Sequence, residues 1–566
     1  MTTEAVLVSR EAYLVNRNVS QEAGSALSAL HGSTRSPSRA ESRDASRFTA
    51  LIFTLVLILC LDLSLLYAAS PGLADRVIEH KLANGLTLLM VERHQTPVVS
   101  INMTFRVGGV NEQIGQTGLA HLYEHMAFKG TRTVGTKNYE KERPILEELS
   151  RVGTELEQRQ RELAKRTTDG PASPEETAAI EGLQKRFTAL QEQAAQFVAG
   201  NEMALLYQRH GGVGLNASTG KDITRYMISL PSNRLPLWAA LESDRMANPV
   251  LREFYKERGV VMEERRLRND DSPNGLLFET FTSAAFRAHP YGIPTIGWES
   301  DILSLTPAET EAFFKTYYGP GRVTIAIVGD VNPKDVIALI ERTFGTIPAA
   351  PPPPQIVTVE PPQRGERRVE VEFDAEPSLA IGYHKPALGH ADDYVFDVID
   401  AVLSDGLTSR LYTKLVREKR LTASIGSDAN YPGVRAPNLF ILTATPLAPH
   451  TTAEVEAAIY EELERLKTEP VSAKELEKVI NNLDADLVRA LRSNGGLASQ
   501  LALFQTVAGD WRYALKARDK IAAVKPADIQ RVAAQYFTKS NRTVAVLVKK
   551  QPDKKVAAAP ASEVAR

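Results

Sequence analysis

The motif H-x-x-E-H, which runs from His121 to His125, contains the residues of this sequence that are best suited to chemistry. Residues four apart on a helix lie on one face, so the imidazoles of His121 and His125 can bind one cation together. Two neutral imidazoles and a carboxylate suit zinc, with the fourth position left for water. Glu124 lies on the same side and can accept a proton from that water. The motif therefore predicts zinc-dependent hydrolysis with Glu124 as the base.

A third metal ligand is expected from the acidic segment FYKERGVVMEERR, residues 254–266. Glu257 and Glu264 are seven residues apart, which is two helical turns, and so share a face, whereas Glu263 points about 100° away. That pair can supply one ligand and one carboxylate that orients an imidazole. The spacing alone does not exclude the alternative, a solvent-exposed helix face that carries acidic and basic residues and binds no metal.

The elements that must position these residues follow an α/β pattern. Alternating apolar residues on both sides of a turn at Asn84-Gly85 predict strands, and a helix is predicted around Leu119–Phe128. A second strand-rich block, GLNASTGKDITRYMISLP, precedes further helical segments. The sequence thus places the H-x-x-E-H motif on a helix between strands.

Residues 139–200 differ in character from the rest of the chain. They are rich in Glu, Gln and Arg, with Leu and Ala at helical spacing. They predict a solvated insertion of two antiparallel helices, hinged at Gly170–Pro174, that carries no chemistry of its own.

A proline-rich linker at 348–363 is the clearest domain boundary. It separates a first domain, 75–347, from a second domain, 364–550, and residues 551–566 read as a flexible tail. The segment LTPAETEAFFKTYYGPGRVTIAIVGD recurs in the second domain at an offset of 219 residues, so that Pro307 matches Pro526. We therefore expect an α+β protein made of two related α/β domains in tandem. Each would have an antiparallel-rich sheet packed with helices, and the first would carry the helical hairpin.

Composition narrows the possible partners and ligands. The 566 residues carry a formal net charge of −2, so no overall field attracts polyanions and nucleic acid is not expected as a partner. The single cysteine, Cys60, excludes an intramolecular disulfide framework and a cysteine-ligated zinc site. Any metal must therefore be bound by histidine and carboxylate side chains.

The N-terminal region predicts export. A disordered lead, residues 1–47, precedes a run of 22 residues from Phe48 to Ala69 whose only charge is Asp62, long enough to cross a bilayer. We interpret 48–74 as a signal peptide or membrane anchor, and the preceding arginines favour a cytoplasmic N-terminus. The remainder would be periplasmic, or anchored and facing the periplasm or exterior. The sequence does not decide whether this segment is cleaved off, and import into mitochondria is the alternative location.

The sequence resembles the pitrilysin/insulinase family of zinc metallopeptidases, which includes the mitochondrial processing peptidases. Five motifs occur in the family's order over roughly residues 76–550: GLAHLYEHMAFKGT, GLNASTGKDITRYMISLP, ESDRM, ERGVVMEE and HPYGIPTIG. The resemblance implies an endopeptidase acting on extended peptides or unfolded segments. It also implies a role for each site residue: Zn²⁺ bound by His121, His125 and Glu264, with Glu124 as the base and Glu257 as the outer carboxylate.

The same resemblance implies how a peptide substrate is bound. The segment Asn216-Ala217-Ser218 matches the sheet edge to which family members add the substrate as an extra strand. Arg417 matches an arginine that, with a tyrosine, holds the substrate carbonyl in the transition state. Here Ser424 and Ile425 stand where that tyrosine is expected. The loss of such a donor typically costs about a hundredfold in rate.

The chain also resembles the half-size family members that work as dimers. This implies a homodimer, or a heterodimer with a related subunit that carries the Arg/Tyr pair. Two alternatives to an independent enzyme stay open: a non-catalytic or partner-dependent subunit of a peptidase-like heterodimer, and a membrane-tethered module that binds peptides without cutting them.

Overall fold

The computed structural model describes residues 72–165 and 173–550. The predicted lead, the apolar run from Phe48 to Ala69, most of the predicted hinge and the predicted tail lie outside the described residues. Within the described ranges, no helix combines the length and apolar character needed to span a membrane.

The first domain contains a six-stranded sheet in the order β1-β2-β6-β3-β5-β4. Strands β2 and β6 are parallel, and all other neighbours are antiparallel. Strand β4 therefore lies at one edge. The strands are β1 (Ile78–Lys81), β2 (Thr87–Glu92), β3 (Val98–Phe105), β4 (Val213–Thr219), β5 (Thr224–Pro231) and β6 (Val323–Gly329).

The second domain contains a five-stranded sheet in the order β7-β11-β8-β10-β9. Its one parallel pair, β7 with β11, corresponds to β2 with β6, and the remaining neighbours are antiparallel as in the first sheet. The predicted tandem of related, antiparallel-rich domains is confirmed by this shared topology. The strands are β7 (Arg367–Phe373), β8 (Ser378–Lys385), β9 (Thr422–Tyr431), β10 (Asn438–Pro446) and β11 (Arg542–Lys549).

Helices cover both sheets, and short 3₁₀ and π turns join several of them. Those before the linker are α1 (Leu73–Arg76), α2 (Leu119–Met126), α3 (Tyr139–Lys165), α4 (Pro174–Ala195), α5 (Glu202–Arg209), α6 (Leu235–Ala247), α7 (Phe254–Arg265), α8 (Pro273–Ala285), α9 (Glu299–Ser304), α10 (Pro307–Tyr317) and α11 (Pro333–Thr343). Those after it are α12 (Ala391–Ser404), α13 (Thr452–Thr468), α14 (Ala473–Arg492), α15 (Asn494–Ala508), α16 (Tyr513–Ala522) and α17 (Pro526–Tyr536).

Helices α3 and α4 form the predicted hairpin. They pack along each other through a small apolar cluster that includes Leu149, Val152 and Leu190. Ser173 caps the start of α4 by accepting a hydrogen bond from the Glu176 N–H, as its sequence S-P-E-E favours. Tyr255 of α7 packs against this cluster, so the hairpin is joined to the helix that carries Glu264.

Each sheet also packs against a helix from the other half of the sequence. Helix α8 places Phe281 in an apolar cluster with residues of the second sheet, such as Leu547. Conversely, α15 places Leu497 and Leu501 against Val328 and its neighbours in the first sheet. Residues 348–363 contain no helix or strand. The two sheets on either side of this linker are thus tied together by reciprocal helix packing.

Candidate metal centre

Helix α2 presents the two histidines of the motif. It begins after Gly118, whose φ of 90° is in the left-handed region that glycine tolerates best. A Cβ at Gly118 would also lie only 2.6 Å from the Ile296 carbonyl oxygen. The rings of His121 and His125 project from the same face, with centroids 4.8 Å apart. The predicted helix is confirmed, ending two residues earlier than expected.

A buried carboxylate fixes the start of this helix. The two oxygens of Glu112 accept hydrogen bonds from the backbone N–H groups of Gly118, at 2.9 Å, and Ala120, at 2.8 Å. Burial raises the pKa of Glu112 to about 7, and the two N–H groups and Lys221 oppose that rise. Gly118 has no side chain to cap the helix, so Glu112 supplies the acceptor from outside it.

Three side chains converge at the predicted metal site. The Oε2 atom of Glu264 lies 3.6 Å from His121 Nε2 and 3.3 Å from His125 Nε2. Ligand atoms of the three residues all lie within 4.8 Å of one another. Two ligands of a tetrahedral zinc, each at about 2.0–2.1 Å, lie about 3.3–3.4 Å apart. The donor types and the two distances from Glu264 therefore fit zinc with three protein ligands.

The charge state of His121 also fits a metal site. Burial, together with the nearby His125 and Arg268, lowers the pKa of His121 to about 3, so its imidazole is neutral. A neutral imidazole is the form that binds a metal. The other carboxylate oxygen of Glu264 pairs with Arg268 at 2.7 Å, which holds that side chain in place.

Glu257 orients the second histidine. His125 Nδ1 donates to Glu257 Oε1 over 3.1 Å, which leaves Nε2 directed to the metal position. The other oxygen of Glu257 pairs with Lys129. Burial opposes ionisation, but the hydrogen bonds from His125 and Lys129 outweigh it and lower the pKa of Glu257. The contacts separate the two glutamates: Glu264 faces both histidines, and Glu257 lies behind His125.

Replacing Glu257 by glutamine should weaken zinc binding by about 10–100-fold, because His125 loses its charged acceptor. Competition with a chelator of known zinc affinity measures the change. Glu253→Gln is the matched control. Glu253 also contacts Lys129, at 3.4 Å, but the carboxylate that contacts His125 Nδ1 belongs to Glu257. Equal losses in both variants would show that Lys129, not His125, mediates the effect.

Glu124 lies beside the three converging side chains. Its Oε2 accepts a hydrogen bond of 2.6 Å from Thr219 Oγ1. Burial raises the pKa of Glu124, and the Thr219 contact offsets part of that rise. Thr219 is the last residue of β4, so the edge strand ends at the carboxylate that sequence reasoning assigned as the base.

A cavity of about 380 Å³ adjoins the converging side chains. His121 and Glu264 border it on one side, and Tyr431 from the second domain borders it as well. The Tyr431 hydroxyl is hydrogen-bonded to Thr282 Oγ1 at 2.8 Å. Both domains therefore contribute walls to the space next to the candidate metal site.

The predicted substrate-binding residues lie in two places. Asn216 and Ala217 are on edge strand β4, where they are paired with Met227 and Tyr226 of β5 on one side only. Arg417 is exposed on the π-helical turn Tyr412–Glu418, and the cavity lining does not include it. The structure thus brings the edge strand to the candidate site and leaves Arg417 outside its cavity.

Sequence reasoning missed several residues of this site. The signal for Glu112 is weak: it is an acidic residue a few positions before Gly118, which has no side chain to cap the helix. Thr219 could have been found by following the NAST segment one residue further. Tyr431 had no signal, because it comes from the other domain and no local spacing relates it to the motif.

Two family models match the chain. The model described as Insulinase (Peptidase family M16) matches residues 87–161 and 176–299, which include all the converging residues. The model described as Peptidase M16 inactive domain matches residues 304–483. The interval between the two parts of the first match, 162–175, falls within the helical hairpin.

Known proteins match over most of the described chain. Zinc protease PqqE of Helicobacter pylori is 29% identical over 475 residues, covering 82% of this chain and 91% of that protein. The crystal structure of a protease from Helicobacter pylori superposes with a TM-score of 0.69 at 28% identity, covering 83% of this chain and 99% of that one. The periplasmic protease PqqL from Escherichia coli shares the fold, with a TM-score of 0.61 at 17% identity. That match covers 85% of this chain but 48% of PqqL.

Proposed function

The chain belongs to the pitrilysin/insulinase (M16) family of peptidases, and from that premise we propose that it is a zinc endopeptidase. Its substrates would be extended peptides or unfolded segments. The observation that carries this proposal is the convergence of His121, His125 and Glu264 with Glu124 beside them. The names of its relatives as zinc proteases support the same activity.

The proposed mechanism is hydrolysis of the peptide bond by water, with Glu124 as the group that transfers the proton. Zinc, when bound by the three converging residues, supplies a Lewis acid that activates water and polarises the peptide carbonyl. Glu124 accepts the proton of the attacking water and returns it to the leaving amine nitrogen. Its raised pKa suits a group that must both take up and give back a proton. Thr219 holds one oxygen of Glu124, which leaves Oε1 for the transfer.

The edge position of β4 supports the proposed mode of substrate binding. A peptide that pairs with the free side of β4 is held by backbone hydrogen bonds, which suit extended chains of varied sequence. Because β4 ends at Thr219, beside Glu124, a peptide bond near that end is placed close to the base. Asn216 and Ala217 lie within about three residues of this point, roughly 10 Å along the strand.

A partner subunit is part of the proposal. Arg417 lies outside the cavity, and Ser424 and Ile425 stand where the family resemblance leads us to expect a tyrosine. We propose that a second copy, or a related subunit with the Arg/Tyr pair, completes the site. The alternative is a subunit that has no activity of its own, and the match of residues 304–483 to an inactive-domain model favours it.

The proposed location is outside the cytoplasm. Residues 48–74 have the composition of a signal peptide or anchor, and PqqL, which shares the fold, is a periplasmic protease. We propose an exported chain that is periplasmic or anchored to the membrane.

The test is cleavage of an unstructured, fluorescence-quenched peptide by the purified full-length chain. We expect cleavage with zinc, loss of cleavage after treatment with a chelator, and recovery when zinc is restored. Activity that rises more than linearly with chain concentration would indicate self-pairing. Activity that appears only when a related subunit is added would favour the partner-dependent alternative. Absence of cleavage under all these conditions would contradict the proposal.

A further inference from the structure

A second cavity, of about 820 Å³, lies within the second domain and shares no lining residue with the first. Helices α12, α14, α15 and α16 and the end of β9 enclose it. Its walls are largely apolar and include Leu483, Leu487, Leu503 and Phe504. Its volume is in the range of pockets that bind small molecules or a few side chains.

Six aspartates border this apolar space: Asp393, Asp397, Asp400, Asp428, Asp484 and Asp519. Asp397 and Asp400 are three residues apart on α12 and share a face, and the exposed Asp428 approaches the rim of the cavity from β9. None of these last three has an ion-pair partner within residues 72–165 and 173–550. The nearby cations are already paired, Lys385 with Asp393 and Arg518 with Asp484.

A buried acceptor also borders the cavity. Asn430 Oδ1 is buried and has no hydrogen-bond partner in the described part of the chain. A buried acceptor without a donor costs free energy, as do like charges that share an apolar space. Burial, reinforced by Asp393, raises the pKa of Asp397 to about 7 although Asn430 hydrogen-bonds to it, and burial raises the pKa of Asp400 to about 6 although the Ser427 hydroxyl donates to it. A ligand that brings an N–H cation would supply a donor to Asn430 Oδ1 and a counter-charge to the neighbouring carboxylates.

We propose that this cavity binds a peptide segment in which one lysine or arginine is flanked by apolar side chains. The ammonium or guanidinium would lie against Asp397 and Asp428, within reach of Asn430 Oδ1, and the flanking side chains would contact the leucine-rich wall. Charge complementarity selects a cation, and the apolar walls select its neighbours. The site does not depend on peptidase activity, because it shares no residue with the candidate metal centre.

The test uses the full-length chain with Glu124→Gln, so that peptides are not cut. The probe is fluorescein-labelled Leu-Leu-Lys-Leu-Leu, and its binding is followed by fluorescence anisotropy. Adding Asp397→Asn and Asp428→Asn should weaken binding about tenfold or more, because the charged hydrogen bonds are lost. Asp486→Asn, an exposed aspartate on the same α14 helix that helps to enclose the cavity, is the control and should leave binding unchanged.

A second variant blocks the space without changing its charge. Ala517 lines the cavity on α16, and Ala517→Trp should prevent binding of the same probe. A probe with norleucine in place of lysine should bind about tenfold more weakly than the lysine probe, because it lacks the cation that pairs with the carboxylates. Equal binding of both probes, or binding unaffected by the aspartate and Ala517 variants when circular dichroism shows them folded, would overturn the proposal.

Discussion

Glu124→Gln is expected to lower kcat for peptide cleavage by about a thousandfold while the chain keeps its zinc. The physical reason is that glutamine preserves the shape and the contact with Thr219 but cannot accept the proton of the attacking water. Removal of a general base typically costs about 10²–10⁴-fold in rate. The measurement is kcat on the quenched peptide together with the zinc content of the purified variant.

Two controls give this result its meaning. Glu140→Gln makes the same chemical change at an exposed position in the first turn of α3 and should leave kcat unaltered. The zinc content of the Glu124 variant should equal that of the parent, because Glu124 is not one of the three converging ligands. If the Glu124→Gln variant kept its zinc and cleaved the peptide at the parental rate, Glu124 would not be the general base.

Glu264→Gln should abolish cleavage by a different route, through loss of the metal. Glu264 supplies the only carboxylate among the three converging ligands, so a neutral amide removes the negative charge that faces two neutral imidazoles. We expect zinc affinity to fall by more than the 10–100-fold that loss of an outer carboxylate costs. The measurement is the amount of zinc that stays bound to the variant after dialysis, determined by atomic absorption.

The neighbouring residue provides the control. Glu263→Gln alters the adjacent glutamate, which is exposed and paired with Arg266. It should keep both zinc and activity, because its side chain points away from the histidines. If Glu263→Gln lost zinc and Glu264→Gln kept it, the assignment of the third ligand would be wrong.

Much of the fold could be predicted from the sequence because its signals are local or repeat along the chain. The helical hairpin of residues 139–200 follows from Leu and Ala at helical spacing, and α3 and α4 confirm it. The relation between the domains follows from Pro307 and Pro526, which both stand at the start of a helix that precedes a strand. No such signal indicated that α8 packs on the second sheet and α15 on the first, because an apolar helix face does not specify which sheet it covers.

The sequence by itself determined the chemistry that this chain can offer. The spacing of His121, Glu124 and His125 fixes two potential ligands and a base on one helix, because a helix turns by a constant angle per residue. The same spacing rule places Glu257 and Glu264 on one helix face, and the family resemblance favoured Glu264 over Glu263 and assigned Glu264 as the ligand and Glu257 as the outer carboxylate.

The tertiary structure decided which groups meet. It set Glu264 against both histidines and Glu257 behind His125, over chain separations that no local pattern spans. It also brought Tyr431 of the second domain to the cavity beside the candidate metal site. Helical geometry relates residues within a few turns, whereas packing between helices and sheets relates residues hundreds of positions apart, and that relation exists only in the folded chain.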